Sequence, residues 1–150
     1  MLGVVVVFGT GLIGLGRGKA VFLYNLLDLK RTIWEGPALG AGKHTIVFDF
    51  KSEGPGLGKG GKGVLSVDGK EVARNSIEHG IPITLPEDES FDIGQDTRSG
   101  VALLRYRYEV PFKFTGTINK LTFSLEPEQL TTEERKQLPA ITAAVARARD

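Results

Sequence analysis

Val64-Leu65-Ser66-Val67-Asp68-Gly69-Lys70-Glu71-Val72-Ala73 is the stretch on which the fold turns. Two strand-like runs, 64–67 and 70–77, flank Asp68-Gly69. A tight two-residue hairpin turn needs φ > 0 at both central positions, and Asp-Gly meets that need at little cost. A β-hairpin is predicted here. Upstream, 45–50 alternates: Ile46, Phe48 and Phe50 share one face, while Thr45 and Asp49 share the other. The runs 19–27 and 31–35 read as strands, and 4–8 is a continuous β-branched run of the kind expected for a strand buried on both faces. Downstream, 81–85 and 90–93 are short strands bounded by Pro82, Pro86 and Gly94. From Leu104 to Phe114 every second residue is apolar or aromatic, and Pro111 marks an edge or a bend. The run 117–125 alternates again, placing Leu121, Phe123 and Leu125 together. The expected inward-facing set is Phe48, Phe50, Val67, Phe112, Leu121 and Phe123.

The period then changes. Thr131-Thr132-Glu133-Glu134 has the T-x-x-E form of a capping box. Leu138, Ile141, Val145 and Ala148 follow as a helical stripe. Pro139 either kinks this helix or opens a second one as its first residue. The expected fold is all-β: a two-sheet antiparallel jelly-roll-type sandwich with a short C-terminal helix. Residues 1–126 form the sandwich, and 127–150 are a helical extension of the same domain.

Composition agrees with one soluble domain. The chain has 150 residues, 41% hydrophobic and 25% charged. Nineteen basic and 18 acidic side chains leave a net charge of +1, so neither a nucleic-acid footprint nor a polybasic membrane anchor is expected. There is no cysteine, which excludes disulfides, thiolate metal sites and a cysteine nucleophile. Residues 1–16 are apolar but lack a basic start and are interrupted by Gly3, Gly9, Gly11, Gly14 and Gly16. They read as a buried strand followed by a glycine-rich loop or hairpin rather than a signal peptide or anchor. A soluble protein of cytoplasm or periplasm is expected.

Few side chains suggest chemistry, and each has a plainer reading. The run Gly54-Pro55-Gly56-Leu57-Gly58-Lys59-Gly60-Gly61-Lys62-Gly63 offers backbone N–H groups, Lys59 and Lys62 to an anion or a partner. The plainer reading is a flexible hairpin connection, because strand-like sequence rather than a helix follows it. Asp92 and Asp96 could contribute to a calcium site, which takes six to eight oxygens; otherwise they are turn-forming acids. Trp34 could stack on a sugar, but a lone Trp in a sandwich is usually core. Arg105 and Arg107 share a strand face that could grip an anion or simply be solvated. His44 and His79 belong to no metal-spacing motif, and no nucleophile or acid partner is identified for either.

Several segments together resemble a known module. They are Phe22-Leu23-Tyr24-Asn25-Leu26-Leu27-Asp28-Leu29-Lys30-Arg31-Thr32, then Pro37-Ala38-Leu39-Gly40-Ala41-Gly42-Lys43-His44-Thr45-Ile46, then the glycine run leading into the hairpin. Phe91-Asp92-Ile93-Gly94-Gln95-Asp96-Thr97 and Val110-Pro111-Phe112-Lys113-Phe114-Thr115-Gly116-Thr117-Ile118 follow. In this order they are similar to the C-terminal region of bacterial arylsulfatases, over about Gly3 to Leu125. Single elements also resemble concanavalin A-like and laminin-G-like sandwiches. Sulfatases use a Cys or Ser in a C/S-x-P-x-R context, and this chain has neither, so no catalytic residue carries over. Gly11-Leu12-Ile13-Gly14-Leu15-Gly16 also departs from the more polar strand pair of such regions. The resemblance implies a non-catalytic accessory module, without a resident cofactor, that packs on a sulfatase catalytic domain or self-associates. The alternative is a stand-alone lectin-like protein binding carbohydrate or a sulfated ligand.

Overall fold

The computed structural model describes residues 3–8, 11–16, 18–26, 29–81, 92–97, 109–127 and 130–147; of these, 3–8, 11–16, 141, 142 and 144–146 are described by backbone alone. The predicted hairpin is present. β6 (Lys59–Val67) and β7 (Lys70–His79) pair antiparallel, and Asp68 and Gly69 close the turn at φ 51° and 78°. β5 (Ile46–Ser52) lies on the other side of β6, giving the order β5-β6-β7. A second sheet is built from β1 (Gly3–Phe8), β2 (Gly11–Gly16), β3 (Lys19–Leu26), β4 (Lys30–Ala38) and the short β8 (Asp92–Ile93), in the order β4-β3-β2-β1-β8. β9 (Gln95–Asp96) and β10 (Phe112–Lys113) form a small ribbon. Every described pairing is antiparallel. The chain is mostly β with one C-terminal helix.

The two larger sheets meet face to face. Alternation sends Ala20 and Phe22 of β3 and Trp34 of β4 to one side of the interface. Leu65 and Val67 of β6 and Ile77 of β7 come from the other. Phe48 of β5 stacks on Phe22 with centroids 3.5 Å apart and meets Trp34 edge-on at 5.2 Å. The fully buried indole donates from Nε1 to the Gly63 carbonyl at 2.8 Å, so its one polar atom is satisfied. Val21 and Leu23 point to the opposite face of β3 and are fully buried too. The sheets also adjoin along β4 and β7. There Asn75 Nδ2 donates to the Ile33 carbonyl at 3.3 Å, and Lys30 pairs with Glu78.

The helix α1 (Thr132–Arg147) starts at the predicted capping box. Glu134 N donates to Thr131 Oγ1 at 3.2 Å, and Thr131 N donates back to Glu134 Oε2 at 3.0 Å. Pro139 lies inside this one helix instead of opening a second, at the loss of one intrahelical bond. Glu134 also ties the helix to the loop ahead of β6, accepting from Leu57 N at 2.7 Å.

Three expectations are corrected. β6 begins at Lys59, so the second half of the glycine run is central strand, not loop. Residues 117–125 belong to no ladder despite their alternation, and Phe123 is 54% exposed. Phe50 faces the core side of β5 but is 41% exposed, because β5 is the edge of its sheet among the described residues. The strand expected at 81–85, the start of that at 90–93 and most of that from Leu104 lie outside the described residues.

Candidate functional site

The outer face of the β5-β6-β7 sheet carries the most distinctive arrangement of charge. Register places Lys51 of β5 directly opposite Lys62 of β6, and Ser76 of β7 opposite Lys62 on its other side. The next row on that face is Asp49, Val64 and Arg74. Arg74 is engaged in a two-bond fork with Glu71 at 2.9 and 2.7 Å. That contact holds the Glu71 carboxyl below its ordinary range and the guanidinium above its own. Lys51 and Lys62 are both exposed, and neither forms an ion pair among the described residues. Like charges directly opposite on neighbouring strands are destabilising. Lys62 was a sequence candidate, whereas Lys51 was not. Only the β5–β6 register reveals it, and the six-residue connection 53–58 hides that register in the sequence.

The other candidates scatter. Lys59, at the start of β6, lies near Glu134, whose carboxyl is held below its ordinary range by the Thr131 hydroxyl first and by Leu57 N–H and Lys59 charge as well. The loop ahead of it is closed by Glu53 N donating to the Gly60 carbonyl at 3.0 Å, so the glycine run is fastened at both the helix and the strand. Trp34 is fully buried and offers no ring face to a sugar, which corrects its candidacy as a stacking platform. Arg105 and Arg107 lie outside the described residues. Asp92 and Asp96 are buried rather than solvated. Asp92 Oδ2 accepts from both N and Oγ1 of Thr97, at 3.0 and 2.5 Å, which is a turn-forming role. No group of three or more His, Cys, Asp or Glu gathers among the described residues. No helix among the described residues is long and apolar enough to cross a membrane.

His44 sits in a pairing the sequence did not announce. Its Nδ1 lies 2.8 Å from Asp68 Oδ2 and its Nε2 3.1 Å from the Gly40 carbonyl. Asp68 Oδ1 accepts from Thr45 N at 2.8 Å, and Asp68 N donates to the Thr45 carbonyl at 2.8 Å. Both ring nitrogens face acceptors, so the imidazolium is the form that satisfies both contacts. The Asp68 hydrogen bond first, and the Gly40 carbonyl second, raise the His44 pKa above 6.5. His44 in turn lowers Asp68 below 3.8. With both nitrogens occupied, the ring fastens the 40–45 loop to the β6–β7 turn and has no free position for a substrate proton.

A pH dependence follows. A raised His44 contributes stability that is complete below its unfolded pKa and lost as pH rises through the folded value. A lowered Asp68 contributes stability that is present above its unfolded pKa and lost as pH falls through the folded value. The pair is therefore most stabilising between about 4 and 6.5. Melting of the wild-type chain at pH 6 is expected to occur above that at pH 8, and His44→Ala should narrow the gap. An unchanged gap in His44→Ala would show that other groups set it.

No family model, curated protein or solved structure matches the chain.

Proposed function

We propose that the chain is a non-catalytic accessory module that packs on a sulfatase catalytic domain, as its resemblance to arylsulfatase C-terminal regions implies, and that it meets this partner through the outer face of β5-β6-β7. The Lys51–Lys62 pair carries the reading. Two ammonium groups facing each other across neighbouring strands cost stability in the isolated chain. A partner surface presenting carboxylates at that point converts the repulsion into attraction and speeds encounter. Selection for folding alone has no use for such a pair. The absence of C/S-x-P-x-R from the sequence supports a role without covalent sulfate-ester chemistry.

The test is calorimetric titration of this chain into a sulfatase catalytic domain that lacks its own C-terminal region. Saturable binding is expected, falling with added salt. The Lys51→Ala, Lys62→Ala double variant should bind at least tenfold more weakly, about 1.4 kcal/mol. The chain alone should not hydrolyse an aryl sulfate. Absence of binding, or turnover that copurifies with the chain, would overturn the reading.

The same lysine pair favours a second reading, a lectin-like protein that binds a sulfated ligand. A sulfate lying between the two ammonium groups would accept from both. Here a sulfated oligosaccharide should bind and its desulfated counterpart should not, with no affinity for the sulfatase domain.

A further inference from the structure

Asp49 is a charge that a purely anion-binding face would not carry. Ile46 and Phe48 of β5 pack inward on the core, so alternation turns Val47, Asp49 and Lys51 outward. Asp49 is thereby a neighbour of both lysines of the outer face. It lies two positions from Lys51 along β5 and diagonal to Lys62 across the β5–β6 pair, about 7 Å from each. Arg74 shares its row but stands beyond Val64 and is held by Glu71 in the two-bond fork. Glu71 and Glu78, the acids of β7, are closed by Arg74 and Lys30. Asp49 is exposed and forms no ion pair among the described residues, as is true of Lys51 and Lys62. The face therefore presents two open positive charges and one open negative charge in a fixed order.

We propose that the surface met by this face is bipolar, with carboxylates opposite Lys51 and Lys62 and a basic side chain opposite Asp49, on the sulfatase catalytic domain. This inference rests on the docking reading above and adds the partner's chemistry to it. A polyanion gains from the lysine pair and loses to the carboxylate beside it, because it has no cation to offer Asp49. A protein surface can answer both signs. Asp49 then fixes the orientation of docking. Turning the partner end for end on the face sets its carboxylates against Asp49 and its base against the lysines, and opposed like charges reject that pose. Val64, directly across from Asp49, and Val47, two positions before it, add apolar area. Apolar contact there displaces water from the charges and strengthens each opposite-sign pair.

The sign of one substitution decides. Asp49→Asn keeps the shape of the side chain and removes its charge. Titrated into a sulfatase catalytic domain that lacks its own C-terminal region, this variant should bind about fivefold more weakly than the unmodified chain. Asp49→Glu should keep most of the affinity, and Asp49→Lys should bind more weakly than Asp49→Asn. A wholly acidic partner surface predicts the reverse, since losing the carboxylate removes a repulsion. The same reversal is expected for a sulfated oligosaccharide used as the probe, which Asp49→Asn should bind more tightly. A second arm separates contact with the partner from balance within the chain. If Asp49 meets a base on the partner, Asp49→Asn should cost the same factor when Lys51 and Lys62 are both already alanine. If it only steadies the lysine pair, the loss should vanish in that background. Circular dichroism checks that each variant folds. Equal or tighter binding of the sulfatase domain by Asp49→Asn, or a loss that vanishes without the lysines, would overturn the inference and leave the docking face standing. An unmodified chain that does not bind the domain would overturn the docking reading and the inference with it.

Discussion

Trp34→Ala should cost the fold about 3–5 kcal/mol, the range for removing a large buried aromatic side chain. Three losses coincide at this position. The ring is fully buried between the sheets, against Phe22 at 5.4 Å and Phe48 at 5.2 Å, both in edge-to-face geometry. Removing it leaves a cavity that Phe22 and Phe48 can fill only by giving up their own stack. It also removes the bond that the Gly63 carbonyl accepts from the indole N–H at 2.8 Å, at a residue that is itself buried. Trp34→Phe separates the terms, since it keeps most of the apolar area and removes only the donor. It should cost about 0.5–1.5 kcal/mol, the net contribution of one hydrogen bond. Urea titration with an unchanged slope reads both values. A loss below about 1 kcal/mol for Trp34→Ala would show that the ring does not bridge the sheets.

That contact also shows where sequence reasoning reaches and where it stops. The Asp68-Gly69 turn, the 45–50 alternation and the Thr131–Glu134 cap are local signals, each fixed by residues a few positions apart, and all three are present in the structure. The Trp34–Gly63 bond joins residues 29 positions apart, and nothing near either predicts the other. The Lys51–Lys62 pair has the same origin: each lysine is ordinary by itself, and the register alone makes them face each other. The segment 117–125 shows the converse. Its alternation is a statement about what the side chains would do in a sheet, and a sheet also requires a neighbouring backbone, which the segment's own sequence does not supply. Phe50 lies on the face that the alternation predicts, over Gly61 and beside Phe48. An edge strand nevertheless leaves one flank of an inward ring in water.

The glycine run hides its strand for a related reason: glycine has no side chain with which to show a period. A flexible loop and a central strand covered by rings are therefore alike in sequence, and a single substitution separates them by sign. Gly60→Ala is expected to destabilise by on the order of 3 kcal/mol. A Cβ at Gly60 would fall onto the Ile77 and Glu78 carbonyl oxygens of β7. Those oxygens belong to the neighbouring strand's backbone, so relief requires the β6–β7 ladder itself to part. At Gly63 the Cβ would stand 2.7 Å from the Phe48 ring and 2.8 Å from the Trp34 ring. Both rings are packed, so Gly63→Ala should also destabilise, though less, because side chains give more easily than backbone. Gly40 is the control. It is exposed and a Cβ there meets nothing within 4 Å. Gly40→Ala should be neutral or stabilising by up to about 1 kcal/mol, through the lower entropy of the unfolded chain. Were 60–63 a mobile connection, alanine at Gly60 would act as it does at Gly40. Equal denaturation midpoints for the Gly40→Ala and Gly60→Ala variants would place the lysines of the run on a loop and remove the fixed Lys51–Lys62 register on which the proposed docking face depends.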